Sequence, residues 1–287
     1  MVPDEQAEEK QHAEALEIAQ ASDVIVYAVG ENSYEAGEAG SKTDLHLSDN
    51  QVALLNDLAT LGKKIVLINV SGRPLVLSNV TEQCDAIIQA WFPGTEGGHA
   101  IADVLLGKIS PSGRLSMTFP YTEGQEPLYY AHLSTGRPKQ GSQHVGRFVS
   151  RYIDAPAEPL YPFGYGLSYG KVEYHDLAIK QNRIESTESL QVSVTLTNAS
   201  EWRQKETVQV YFHDDVASVV QPVKRLVAFK KVSLAPQSEQ KVTFELPAER
   251  FSFYNNQGKQ VLEPGTFQLF VGANSQDVQG VEFEVVE

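Results

Sequence analysis

The spacing of apolar and polar positions changes character partway along this chain of 287 residues. Up to Ser168, short apolar runs alternate with stretches of helical period. Ala13, Leu16 and Ala19 fall on one helical stripe, and Asp23 leads into the apolar run "VIVYAVG". In "LSDNQVALLNDLATLGKKIVLINV", Val52, Leu55, Leu58 and Leu61 share a face. Ser48 stands as N-cap with Gln51 as its capping-box partner, Gly62 is the left-handed stop, and "KKIVLINV" follows as a buried strand. "CDAIIQAW" predicts another strand, and "GTEGGHAIADVLLG" a helix capped by Thr95. Apolar strands alternating with amphipathic helices imply a parallel sheet with helices on both faces.

From Tyr169 onward the period drops to two. "LQVSVTLTN", "ETVQVYFHD", "KRLVAFKKVSL", "EQKVTFELP", "TFQLFVGA" and "GVEFEVVE" alternate, separated by turns such as "NNQGK" and "EPGT". This pattern predicts an antiparallel sandwich of about seven strands. With no Cys-Trp-Cys framework, a fibronectin type III-like sandwich fits better than an antibody-type domain. The expected fold class is therefore α/β followed by all-β. Its boundaries are an α/β domain over 1–120, a wrapping segment over 121–168 and a sandwich over 169–287. The middle segment is rich in Gly, Pro and Tyr, and at about 50 residues it is too long for a simple connection.

Composition narrows the partners. A net charge of −14 argues against nucleic acid, whose phosphates need clustered Lys and Arg. No apolar run reaches the roughly 20 residues of a membrane span. The single cysteine, Cys84, cannot form an intrachain disulfide and reads as a buried thiol. The acidic start "MVPDEQAEEKQHAEALEIAQ" lacks the basic and apolar regions of a signal peptide, so if the protein is exported its signal is expected to lie outside this chain.

Candidate chemistry sits in "GENSYEAGEAGSKTDLHLS", Gly30 to Ser48. It follows "DVIVYAVG" and holds Glu31, Glu35 and Glu38 without an apolar anchor between Tyr34 and Leu45. Ligands of open parallel sheets bind beyond the carboxyl ends of the strands, where this loop begins. Other motifs carry less. Glu96 and His99 lack further ligands at metal spacing, "GTEGG" lacks the Lys-Ser/Thr ending of a P-loop, and no "GxSxG" elbow occurs. Trp91 reads as a core residue before a sugar platform.

Several motifs occur in one order: "VGENSYEAGEAGSKTDLHLS", "NVSGRPLVL", "AWFPGTEGGHAIADVLLGKISPSGRLSMTFP", "LYPFGYGLSY" and "QPVKRLVAFKKVSL". Together they closely resemble the C-terminal part of glycoside hydrolase family 3, of the bacterial periplasmic β-glucosidase type. The resemblance runs from about Ala13 to Glu287 and implies a partial α/β sandwich domain plus the fibronectin-like domain. The family's catalytic barrel has no counterpart here. Gln221 stands where family members often have a basic residue.

The resemblance implies retaining hydrolysis, which uses one carboxyl as nucleophile and another as acid/base, about 5–5.5 Å apart. By resemblance the nucleophile is a barrel aspartate. Glu38, in "GEAGSKTD", best matches the acid/base, with Glu35 in reserve and Glu31 supporting the strand end. Tyr34, Lys42 and Asp44 are substrate-loop candidates, the last two as a brace. The expected substrate is a β-glucoside or oligosaccharide, with no cofactor and no metal. Expected partners are a barrel-bearing polypeptide or a second copy of the chain, and the implied compartment is periplasmic or secreted. The alternative is a non-catalytic scaffold, assembly or sugar-binding module derived from the same family.

Overall fold

In the computed structural model, residues 5–137 and 146–287 are described. Residues 138–145 of the expected wrapping segment therefore lie outside the described residues. By its contacts the chain divides into two units. The first runs to Asp103 and includes Phe119–Glu126; the second comprises Val104–Thr118 and Pro127–Glu287.

The first unit begins with α1 (Glu5–Gln20), β1 (Val24–Gly30), α2 (Asp49–Thr60), β2 (Lys64–Val70) and β3 (Ala86–Gln89). Helix α3 (Gly97–Leu105) starts two residues beyond Thr95, the expected cap. The strands pair in parallel in the order β1-β2-β3, with Val26 opposite Val66 and Ile68 opposite Ile88. Alternation puts Ile25, Tyr27 and Val29 on one face of β1, where the Tyr27 hydroxyl donates to the Gln51 carbonyl of α2 at 3.3 Å. Leu55 and Leu58 of α2 are buried, and Gly62 ends that helix at φ +66°.

Ser48 occupies the N-cap of α2, but the capping box does not form. Gln51 instead donates to the Gly30 carbonyl at 3.1 Å, with its side-chain oxygen 3.4 Å from the Gly30 amide. Its amide group is spent anchoring the end of β1, which leaves nothing for the cap. Gly30 itself lies at φ +133°, and a Cβ there would fall 1.9 Å from the Val70 carbonyl oxygen. Only glycine lets the chain leave the sheet at this point.

The second unit is a two-sheet sandwich. Its strands are β4 (Val172–Ile179), β5 (Arg183–Glu185), β6 (Ser189–Asn198), β7 (Gln204–Asp214), β8 (Arg225–Leu234), β9 (Ser238–Pro247), β10 (Phe253–Tyr254), β11 (Gln260–Val261), β12 (Gly265–Gly272) and β13 (Val278–Val286). One sheet has the order β5-β13-β12-β7-β8 and the other β4-β6-β9. β10 and β11 form a separate hairpin across the "NNQGK" turn. The two sheets thus hold eight strands, against about seven expected. β4 escapes the pattern because a bulge between His175 and Ala178 breaks its alternation, with Asp176 at φ +52°. β5 is three residues long and carries no period.

Alternate residues of β6, β7, β12 and β13 fill the core between the sheets. Phe251 lies centrally, with ring centroids 5.0 Å from Phe283 and 5.1 Å from Phe212. Burying each such ring contributes about 1.5–3 kcal/mol. The "YPFGYG" motif packs against this sandwich. Gly164, at φ +81°, leaves no room for a side chain: a Cβ would lie 2.1 Å from Gln209 Oε1. Gln209 donates to the Gly164 and Ala273 carbonyls at 3.2 and 2.5 Å, and Tyr211 donates to Gln209 at 2.6 Å. Tyr130 stacks on Phe163 at 4.3 Å.

Candidate active site

The acidic loop leaves β1 at Gly30 and returns at Ser48 to begin α2, so it sits at the carboxyl end of the parallel sheet. It lies beside the "SGRP" turn that follows β2. Three polar side chains at the ends of β2 and β3 fix that turn. Asn69 donates to Gln89 Oε1 at 2.6 Å and to Ser71 Oγ at 3.3 Å, and Gln89 donates to Ser71 Oγ at 3.1 Å. The Ser71 hydroxyl donates in turn to the Arg73 carbonyl at 2.8 Å. One hydroxyl therefore uses its donor and both acceptor sites.

Arg73 then reaches into the loop. Its Nη2 donates to the Glu35 carbonyl at 2.8 Å and the Gly40 carbonyl at 2.7 Å. Its Nε lies 2.8 Å from Glu31 Oε1, an ion pair without hydrogen-bond alignment. The Glu31 side chain is 1% exposed, and its other oxygen accepts from the Gly72 amide at 2.9 Å. Glu31 thus joins the end of β1 to the "SGRP" turn.

Glu35 is also engaged. Lys42 Nζ donates to its Oε1 at 2.9 Å, and the Asn32 amide donates to Oε2 at 3.0 Å. These bonds, the lysine's first, hold its carboxyl below the usual glutamate range. A group kept ionised is a poor proton donor near neutral pH. Lys42 braces the loop through Glu35, not through Asp44.

Glu38 lies at the tip, exposed, between Gly37 at φ +100° and Ala39 at φ +63°. Among the described residues, no hydrogen bond or ion pair occupies its carboxyl group. Tyr34 is 91% exposed on the same loop. Asp44 accepts from the His46 amide and from Nδ1, each at 2.9 Å, and these contacts lower its carboxyl's pKa. His46 Nδ1 also lies 3.2 Å from Glu123 Oε1. Asp44, His46 and Glu123 each bring a ligand atom within 4.8 Å of the others, yet their mutual hydrogen bonds account for the grouping.

Arg73 is the residue the sequence reading passes over. "SGRP" is too short to single it out, and two of its three partners are backbone carbonyls that leave no trace in side-chain chemistry. Trp91 stands edge-on to Phe119 at 5.8 Å, a packing contact, while the neighbouring Phe92 is 57% exposed and lies over Gly72. Glu96 and His99 pair at 2.7 Å on the surface at the start of α3. Cys84 is half-buried, and burial pushes its thiol up to about 11.

A sequence profile of the glycosyl hydrolase family 3 C-terminal domain matches residues 4–169, and a fibronectin type III-like domain profile matches residues 206–275. The chain is 41% identical over 273 residues to the periplasmic beta-glucosidase of Salmonella typhimurium, covering 95% of this chain and 36% of that protein. Identity to the thermostable beta-glucosidase B of Acetivibrio thermocellus is 35%, over 92% of this chain and 35% of the relative. The crystal structure of a β-glucosidase from Listeria innocua in complex with glucose is similar with a TM-score of 0.93 at 46% identity. That likeness covers 97% of this chain and 39% of the Listeria protein. The chain thus spans little more than a third of the length of these relatives.

Proposed function

Because the chain belongs to glycoside hydrolase family 3, we propose that it is the acid/base-bearing portion of a retaining β-glucosidase acting on terminal β-linked glucose or a similar sugar. The observation that carries this reading is the free, exposed carboxyl of Glu38, held on a braced loop at the carboxyl end of a parallel sheet. Glu38 protonates the glycosidic oxygen as the bond to the sugar breaks, while a nucleophilic carboxylate outside this chain attacks the anomeric carbon. The Glu38 carboxylate then takes a proton from the water that releases the sugar. Glu35, tied to Lys42, keeps its charge and serves the loop. Tyr34 faces the substrate, and Lys42 and Asp44 hold the loop's return. No step calls for a cofactor.

The nucleophile lies on a barrel outside these 287 residues. Among the described residues no strand flanks β1 on its outer side, and "VIVYAVG" carries no charge to protect that edge. Val24 and Val26 are 51% and 50% exposed on one face. Nearly two-thirds of each relative's own length lies outside the match, enough to supply both a covering strand and a barrel. A periplasmic or secreted location follows the name of the Salmonella relative.

The test uses a hybrid in which this chain replaces the matched portion of the Listeria enzyme. Glu38→Ala should lower its turnover of an aryl glucoside by about 10²–10⁴-fold, with azide restoring part of the rate on an activated substrate. Near-normal turnover would remove Glu38 from the role. The chain by itself should release no nitrophenol, because one acid cannot form and resolve a covalent intermediate.

A further inference from the structure

Among the described residues Glu38 has no partner of its own, so something else must set where it points. The hairpin that carries it, Glu35 to Gly40, contains little to hold it. Within the hairpin the Gly40 amide donates to the Gly37 carbonyl at 3.1 Å, and both Gly37 and Ala39 adopt positive φ. Ala39 is in the left-handed region that a side chain disfavours. At Gly40 a Cβ would crowd the Glu35 carbonyl oxygen at 3.0 Å, so the two ends of the hairpin close against each other. No apolar side chain anchors the turn, because Ala36, Gly37, Ala39 and Gly40 are too small.

We infer that Arg73 is the positioning residue for the acid/base, fastening both ends of the Glu38 hairpin to the sheet. This deepens the glycosidase reading and rests on it. The two Nη2 hydrogens go to the carbonyls of Glu35 and Gly40, the residues that bracket the tip. The guanidinium is seated from below by Glu31, whose buried carboxylate is itself fixed by the Gly72 amide. Its backbone is fixed by Ser71, which Asn69 and Gln89 hold at the ends of β2 and β3. A continuous chain of contacts therefore runs from the sheet to the tip. It passes from Asn69 and Gln89 to Ser71, then through Arg73 to both ends of the hairpin. A lysine at 73 keeps the charge near Glu31 but not the planar fork that serves three partners at once.

A misplaced general acid has a kinetic signature that a general loss of stability lacks. Protonating the leaving group matters most when that group is a poor one, and little when it departs unaided. In the hybrid enzyme, Arg73→Lys should lower kcat/KM, which reports the step that expels the leaving group, at least tenfold on an alkyl glucoside and less than threefold on dinitrophenyl glucoside, with the melting temperature held. In the isolated full chain, the same substitution should speed hydrogen exchange of the Gly40 amide at least tenfold and leave the β2 amides unchanged. If Arg73→Lys does not fold, Glu31→Gln, which removes the charge seating the guanidinium, is measured in the same two ways. Unchanged exchange at Gly40, or equal losses on both substrates, would overturn the inference. Glu38→Gln is the control in the hybrid. If it shows the leaving-group dependence and Arg73→Lys does not, the clamp fails and the acid stands. If Glu38→Gln shows none, the acid reading itself fails.

Discussion

Among the described residues two arginines hold a buried carboxylate, and they do opposite work. Arg114, in the second unit, places Nη2 2.7 Å from Glu206 Oε2 with both side chains almost wholly buried, 9% and 4% exposed. Tyr174 donates to the other Glu206 oxygen at 2.9 Å, and burial, reinforced by that carboxylate, pushes its phenol well above the ordinary value. Arg73 has a buried carboxylate behind it but an exposed loop in front. One arginine locks a finished sandwich, and the other anchors a segment that carries a free acid. The difference separates an ion pair that maintains a packed core from one that anchors an exposed loop.

The largest effect is expected at the sealed pair. Removing one partner of a buried ion pair leaves the other charged and unpaired, at a cost of about 3–5 kcal/mol. Glu206→Ala should therefore destabilise the second unit by that amount in denaturant unfolding. The two tryptophans report the units separately, since Trp91 packs on Phe119 in the first and Trp202 on Tyr169 in the second. Only the Trp202 transition should move. A loss below 1 kcal/mol would show that water reaches the pair.

The next effect divides stability from assembly. Val26→Lys puts a charge on the half-exposed face of β1, where a surface change alters folding by no more than about 0.5 kcal/mol. The same charge should block a strand from covering that edge. Sedimentation of a mixture with the barrel-bearing portion of the Listeria enzyme should show a complex with the wild-type chain and none with the variant. A complex that survives Val26→Lys would place the covering surface elsewhere. A dimer of the chain alone, abolished by the substitution, would give the edge to a second copy.

What the residue pattern reveals follows the physics of each region. β6, β7, β12 and β13 are legible because each buries one face, so burial writes a period of two into the sequence. β4 is not, because its bulge shifts the period midway. The parallel strands β1 and β2 are legible as apolar runs, and the loop after β1 stands out by its acids. The brace within that loop is not legible. Arg73 bonds to carbonyl oxygens, which every residue has, and Gln51 abandons its expected cap for Gly30 because the end of β1 lies beside it. Lys42 and Asp44 are visible as a charged pair two residues apart, yet each takes a different partner, Glu35 for one and His46 for the other. Proximity in sequence proposes a pair, and the turn of the chain decides it.

The smallest effect tests that last assignment. In the folded chain the Glu35 carboxyl lies below its ordinary value of 4.5, chiefly through its bond from Lys42 and then through the Asn32 amide. A depressed carboxyl stabilises the folded loop above the unfolded value, and that contribution is lost as pH falls through the folded one. Glu35 should then titrate below 4.5, and the Asn32 amide should lose protection only when the pH is lowered past that point. Lys42→Met removes the larger of the two bonds. The Glu35 titration, followed by the carboxyl carbon's chemical shift, should move up toward 4.5, with Asn32 deprotected at a correspondingly higher pH. The Glu206 region should be unaffected over the same range, since Lys42 bonds to Glu35 on the other unit. A Glu35 titration that stays put after Lys42→Met would mean that the ammonium is a bystander, leaving Arg73 as the loop's principal tie.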